Sequence, residues 1–294
     1  PCAEPDTSVG EGMPAGKYGP WASRQLLAFS EDGVHFTRAN QILINQADVP
    51  NALITPDGEI RVYFVLFCPA ELFNRLGVAV SRDAENWQYH LVDVRGLVNI
   101  QPQPVDPTVV LTPDGQYRLY FTSAPPGRDS KPRSYSAISD DGFTFEMEPG
   151  ERFAVEGQHV LDPNVLKIGD TWHYFAGGVP GTNYHATSTD GLAFTRQADI
   201  TLNDFLFANG IAMPDGFRYY GFVQTPGQKT ALYSVFSVDG ETWALDSAPL
   251  LEVDESTGLE SEGVKDPAVA RLPDGRYLLV YGSIIPDYPQ NNAN

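Results

Sequence analysis

The chain has 294 residues, with 19 Lys and Arg against 38 Asp and Glu, a formal charge of −19. That acidic surplus excludes nucleic acid and anionic membrane as main partners, because phosphate recognition needs clustered cations, and no apolar run approaches the roughly 20 residues of a membrane span. A hydrophobic content of 42% with 12% aromatics excludes a disordered chain, and the length suffices for a core that needs no metal or disulfide framework.

Residues 1–19, rich in Gly and Pro, read as an irregular arm. The start on Pro1 rather than Met leads to the expectation of a processed chain, secreted or periplasmic. The two cysteines, Cys2 and Cys68, are free to pair or to stay apart.

From Trp21 onward the sequence repeats. A box of the form Ser-x-Asp-Gly-x-x-aromatic begins at Ser30 and recurs at Ser139, Ser188 and Ser237, with a degenerate copy at Ser81 that has Ala84 in place of Gly. The spacings are 51, 58, 49 and 49 residues. A second pattern runs in phase with it: a short strand, a turn usually written Pro-Asp-Gly, then a strand rich in Tyr, Phe and Val. Its copies begin near Pro50, Asp106, Asp162, Asn209 and Asp266. Pro-Asp-Gly supplies a pre-set φ, a side-chain acceptor and a residue that tolerates positive φ, which is hairpin chemistry. The box aspartates Asp32, Asp83, Asp141, Asp190 and Asp239 read as structural acceptors at outer turns. No amphipathic helix of useful length occurs.

Five units of about fifty residues, each with about four strands, predict an all-β chain, a single five-bladed β-propeller of four-stranded antiparallel blades spanning residues 1–294. The last unit, from Asp266 to Ser283, lacks a following box. The first box, at Ser30, lacks a strand pattern before it. The remainder is complementary, so the N-terminal strand is expected to close the last blade. Residues 286–294 read as a frayed end.

In such a ring the innermost strands line a channel, and their starts meet at one mouth. Alignment on the turns makes Val49, Asp106, Asp162, Phe207 and Asp266 equivalent, with Asp48 one residue early in the first blade and Asn209 as the polar residue of the fourth. Up to four carboxylates therefore converge. Crowded acids cannot all ionise cheaply, which separates their pKa values as acid–base work requires. An Asp-Pro pair at a strand start also serves as a turn device, so each aspartate alone carries a structural reading too. Trp21, Tyr184, Phe207, Asn51, Asn209 and Arg133 are the residues placed to shape a sugar site.

The whole chain resembles the five-bladed propeller glycosidases of the arabinanase, β-xylosidase, invertase and levansucrase group (family 43-like). The resemblance is carried by the boxes and by residues 265–283, Lys-Asp-Pro-Ala-Val through Pro-Asp-Gly to Tyr-Gly-Ser. It implies a glycoside hydrolase with an Asp base or nucleophile, an Asp modulator and a Glu acid. Asp266 then matches the modulator and Asp162 the base, with Asp106 as an alternative. The family's Glu-Ala-Pro or Glu-Gly-Pro acid has no counterpart; Asp48-Val-Pro is the nearest analogue, and Glu156 and Glu262 are the other acids near a channel aspartate. The resemblance also implies a channel histidine that holds a calcium ion or a water, for which His185 is the match; no cofactor is required beyond a structural calcium. A carbohydrate is the expected partner. The competing readings are a non-catalytic carbohydrate-binding propeller or lapsed enzyme, and a glycoside phosphorylase, for which cations are scarce.

Overall fold

The turn residues do locally what their chemistry dictates. At residues 55–59 the Thr55 N–H donates to the Glu59 carbonyl (2.9 Å) and Gly58 takes φ 83°; the same closure recurs between Thr112 and Gln116 and between Leu272 and Arg276. In every box the aspartate accepts two backbone N–H groups across the turn, as Asp190 does from Leu192 (2.8 Å) and Ala193 (2.9 Å). These bonds, Ala193 first, hold the Asp190 carboxyl down at about 2. Ala84 adopts φ 60°, the region its four glycine counterparts occupy.

These hairpins assemble into five sheets in a computed structural model that describes residues 19–68, 73–179, 181–225 and 227–285. From the channel outward, blade I is Ala47–Ile54, Ile60–Cys68, Phe73–Ser81 and Gln88–Leu91. Blade II is Val105–Leu111, Tyr117–Ser123, Arg133–Ser139 and Thr144–Met147, with Asp93–Arg95 added in parallel at its rim. Blade III is Leu161–Ile168, Thr171–Val179, Thr182–Ser188 and Thr195–Arg196; blade IV is Phe205–Met213, Gly216–Val223, Ala231–Ser237 and Ala244–Leu245. Blade V joins the two ends of the chain: Gly263–Arg271 and Tyr277–Ile284 pair with the N-terminal strands Ser23–Ser30 and Thr37–Asn45. Each inner strand packs on the next, and that of blade V packs on that of blade I. Closure thus uses two N-terminal strands rather than one. The only helices among the described residues are two three-residue 3-10 turns, Pro20–Ala22 and Glu255–Thr257.

Apolar layers between the sheets hold the ring. One such layer packs Leu27, Leu43, Val62, Phe64 and Val280 between blades V and I. Polar clamps cross three of the seams. Tyr63 donates to the Gly142 carbonyl (3.0 Å), Tyr120 to Gly191 (2.7 Å) and Tyr220 to Gly33 (2.9 Å). The expected arm and the tail after residue 285 lie outside the described residues, as does Cys2; Cys68 is disulfide-bonded.

Candidate active site at the channel mouth

Each inner strand carries a bulge near its start, at the position the sequence alignment made equivalent. The pairing register slips between Asp48 and Asn51, Val105 and Thr108, Leu161 and Asn164, Phe207 and Asn209, and Lys265 and Ala268. In four blades the residue before the bulge proline holds positive φ: Val49 (46°), Asp106 (54°), Asp162 (54°) and Asp266 (45°). Such a backbone costs about 1–3 kcal/mol per residue and persists only where the surroundings impose it. Bulges also re-aim side chains next to functional sites.

Side-chain pins from one blade onto the inner strand of the next impose the geometry. Asn51 Oδ1 accepts from the Val109 N–H (2.9 Å) and Asn209 Oδ1 from that of Val269 (2.8 Å). Asn183 Oδ1 accepts from the Phe207 N–H (3.0 Å), and the Thr108 hydroxyl donates to the Pro163 carbonyl (2.7 Å).

The four aspartates fall into two pairs. Lys265 Nζ donates to Asp48 Oδ2 and to Asp266 Oδ2, each at 2.7 Å, so one ammonium bridges blades I and V. Burial opposes the Lys265 charge, but Asp266 and Asp48 outweigh it and hold the ammonium well above its ordinary range. Burial also raises Asp266, and Lys265 pulls the other way. On the opposite side, Asp106 Oδ2 accepts the backbone N–H of Asp162 (3.3 Å). Burial, with the charges of Asp266 and Asp48 added, pushes the Asp106 carboxyl up to about 6. Asp162 is pushed well above the usual carboxylate range, by burial first and then by Asp106 and Asp266.

Asp162 and Asp266 line one small cavity together with Val49, Pro50, Phe207 and Ala208. Its volume is about 30 Å³, one water's share of the liquid. The other end of the channel is wider, about 350 Å³, and is lined by Leu53, Val109, Val165, Trp172, Ile211 and Val269 among others.

The remaining sequence candidates sit elsewhere or are otherwise engaged. Glu156 is exposed in a turn, and Glu262 lies half-buried just ahead of the blade V inner strand, its N–H donating to the Ile284 carbonyl (3.0 Å). Trp21 meets Phe67 edge-on at 5.8 Å. Tyr184 is buried against Phe153, with Arg196 over its ring. Phe207 stacks on Phe175 at 4.8 Å while also facing the cavity, and Arg133 pairs with Glu151 (2.6 Å). Asn51 and Asn209 are the pins described above. His185 is not a channel residue. It lies on the third strand of blade III, buried against Phe175 and within 3.1 Å of His173. Burial and then His173 push its imidazole down to about 4.

Sequence reasoning missed Lys265 as a bridge, and it missed Asn183 and Thr108 as pins. A lysine preceding a channel aspartate in a cation-poor chain was the available signal for the first.

No protein-family model matches the chain, and no curated protein matches it in sequence. Solved structures do match. A glycosyl hydrolase from Bacteroides ovatus is 17% identical, with 81% of each chain covered and a TM-score of 0.63. A thermostable family-43 glycoside hydrolase is 15% identical over 83% of this chain and 86% of its own, with a TM-score of 0.63. An alpha-L-arabinofuranosidase from Clostridium thermocellum is 15% identical over 79% and 80%, with a TM-score of 0.62. The chain has the propeller fold of these proteins.

Proposed function

We propose that the protein is a glycoside hydrolase whose reacting carboxyls are Asp162 and Asp266. The supporting observation is that these two groups, from blades III and V, line one cavity with unequal electrostatic partners. Pairs of acids whose surroundings push them apart divide the acid and base roles. Asp162, without an ammonium of its own, keeps its proton and donates it to the departing glycosidic oxygen. Asp266, whose carboxyl Lys265 pulls back toward the charged form against burial, acts as base or nucleophile. Asp106 keeps a second carboxyl against Asp162 and so favours the proton there. Asp48 shares Lys265 with Asp266, which makes it a tuning group rather than the acid that its Asp-Val-Pro context implies. The fold neighbours, described as glycosyl hydrolase and arabinofuranosidase, support the reaction class. The disulfide at Cys68 supports an oxidising, secreted or periplasmic setting; no helix among the described residues is long and apolar enough to cross a membrane.

Turnover of a panel of aryl glycosides and polysaccharides tests the reading. Asp162→Asn is expected to lose about 10²–10⁴-fold on substrates with poor leaving groups and far less on dinitrophenyl glycosides, which need no acid. Asp266→Asn is expected to lose activity on both. Equal losses on both substrate types in Asp162→Asn would remove it from the acid role.

A second reading rests on two observations: the cavity is smaller than a sugar ring, and blade IV presents Phe207 and Ala208 where three other blades present Asp. A glycan-binding propeller without catalysis has the opposite signature: no turnover in the wild-type chain, and binding that survives Asp162→Asn with Asp266→Asn.

A further inference from the structure

The seam between blades III and IV lacks the tyrosine clamp that crosses three of the five seams. The first residue of each second-strand repeat pairs with the box serine, as Ile60 does with Ser81, Tyr117 with Ser139, Trp172 with Ser188 and Phe217 with Ser237. Counting from there, blades I, II and IV place Arg61 and Tyr63, Arg118 and Tyr120, and Arg218 and Tyr220 at the next and the fourth positions. Those tyrosines are the clamps onto the neighbouring glycine carbonyls. Blade III has His173 and Phe175 instead, and phenylalanine cannot donate. The Gly240 carbonyl of blade IV takes its hydrogen bond from Trp243 Nε1 (3.2 Å).

The space left by the missing Arg and Tyr holds a cluster of donors that the channel chemistry does not use. His173 and His185 stack with ring centroids 5.3 Å apart and planes at 12°, both 2% exposed. His173 Nδ1 and His185 Nε2 are 3.1 Å apart. Gly240 packs directly on His173, since a Cβ there would stand 3.3 Å from His173 Nε2. Its neighbour Glu241, exposed on the outer turn of blade IV, brings a carboxylate to the pair, and one ligand atom from each of the three residues lies within 4.8 Å of the others.

We propose that His173, His185 and Glu241 form a binding site for one divalent transition-metal ion, of which zinc is the representative, joining blade III to blade IV. Two nitrogens bound to a tetrahedral zinc at about 2.0–2.1 Å stand about 3.4 Å apart, close to the separation in place. Imidazole nitrogens with one carboxylate suit zinc, copper or nickel. Calcium takes six to eight oxygens and is the wrong ion for this set. Three protein ligands leave a fourth tetrahedral position on the exposed Glu241 side for water. The ion replaces, by coordination, the cross-blade link that three other seams make with tyrosine.

Calorimetric titration of the full chain, stripped with chelator and dialysed, tests this with zinc chloride and calcium chloride. Expected are one zinc per chain, with a dissociation constant in the micromolar range or tighter, a melting temperature that rises with free zinc, and no calcium bound at that site. Glu241→Gln changes an exposed side chain and is expected to weaken zinc about tenfold or more while leaving the unliganded fold intact. His185→Gln is expected to abolish binding, and Asp162→Asn with Asp266→Asn to leave it unchanged. Absence of saturable zinc binding below about 100 µM would overturn the proposal. So would unchanged affinity in both Glu241→Gln and His185→Gln, or loss of binding in the aspartate variants, which would put the ion at the channel mouth.

Discussion

Two carboxylate pairs face each other across the same channel mouth, and they are solvated by the protein in opposite ways. Asp48 and Asp266 share an ammonium at 2.7 Å. Asp106 and Asp162 have a backbone N–H between them and, among the described residues, no cation in contact. The same residue type, near the start of the inner strand in four blades, thus meets an ammonium on one side and another carboxyl on the other. The difference comes from one side chain, Lys265, and not from the backbone that the blades have in common.

That contrast breaks most completely at Lys265. Lys265→Met leaves two buried aspartates without their cation and is expected to lower stability by about 3–5 kcal/mol, read by denaturant unfolding; a change within about 1 kcal/mol would mean the ammonium does not hold the pair. The aspartate variants are expected to move stability in opposite directions. Asp48→Asn exchanges a charge-assisted bond for a neutral one and is expected to cost about 1–2 kcal/mol at pH 7. Asp106→Asn removes a carboxyl whose folded pKa, about 6, lies above the ordinary 3.8. The folded state binds that proton more tightly than the unfolded chain does, so the contribution of Asp106 is most favourable below pH 3.8 and declines as pH rises to about 6. Asp106→Asn is therefore expected to gain up to about 3 kcal/mol at pH 7 and nothing near pH 3.5, and its stability should vary less with pH over that interval than that of the wild-type chain. A gain that is the same at both pH values would mean that folding does not raise the Asp106 carboxyl. The smallest effect is expected at a control position far from the mouth: in Ala84→Gly, relief of a left-handed backbone offsets the loss of a buried methyl, leaving the melting temperature nearly unchanged.

The ring and its phase were legible because both are periodic. Pro-Asp-Gly and the Ser-x-Asp-Gly boxes recur at fixed distances, and alignment on the turns placed Val49, Asp106, Asp162, Phe207 and Asp266 together; four of these five hold the positive φ of the bulge. Elements that break the period were not legible. Thr37–Asn45 has no strand alternation strong enough to announce a second N-terminal strand, and Asp93–Arg95 is three residues long. Contacts between blades were hidden for a different reason. Asn51 and Asn209 read as polar residues near a mouth, and only the spacing between inner strands shows that their oxygens are taken by Val109 and Val269. His185 was matched to a channel histidine through the family resemblance, but it falls on the third strand of blade III, two strands out from the channel. Lys265 reaches Asp48 across 217 residues of sequence, a relation that no local pattern encodes.

Blade V has a consequence for how the molecule comes into being. Leu26 and Leu27 pack against Tyr281 and Val280, so an early strand waits for one from the far end of the propeller. Until then the growing chain is an arc with two sticky rims, each of which can accept a strand from another arc as readily as from its own far end. Joining the rims is a contact of very long range, slow by its topology, and the interval before it is when a second copy of the chain competes most effectively with the ring.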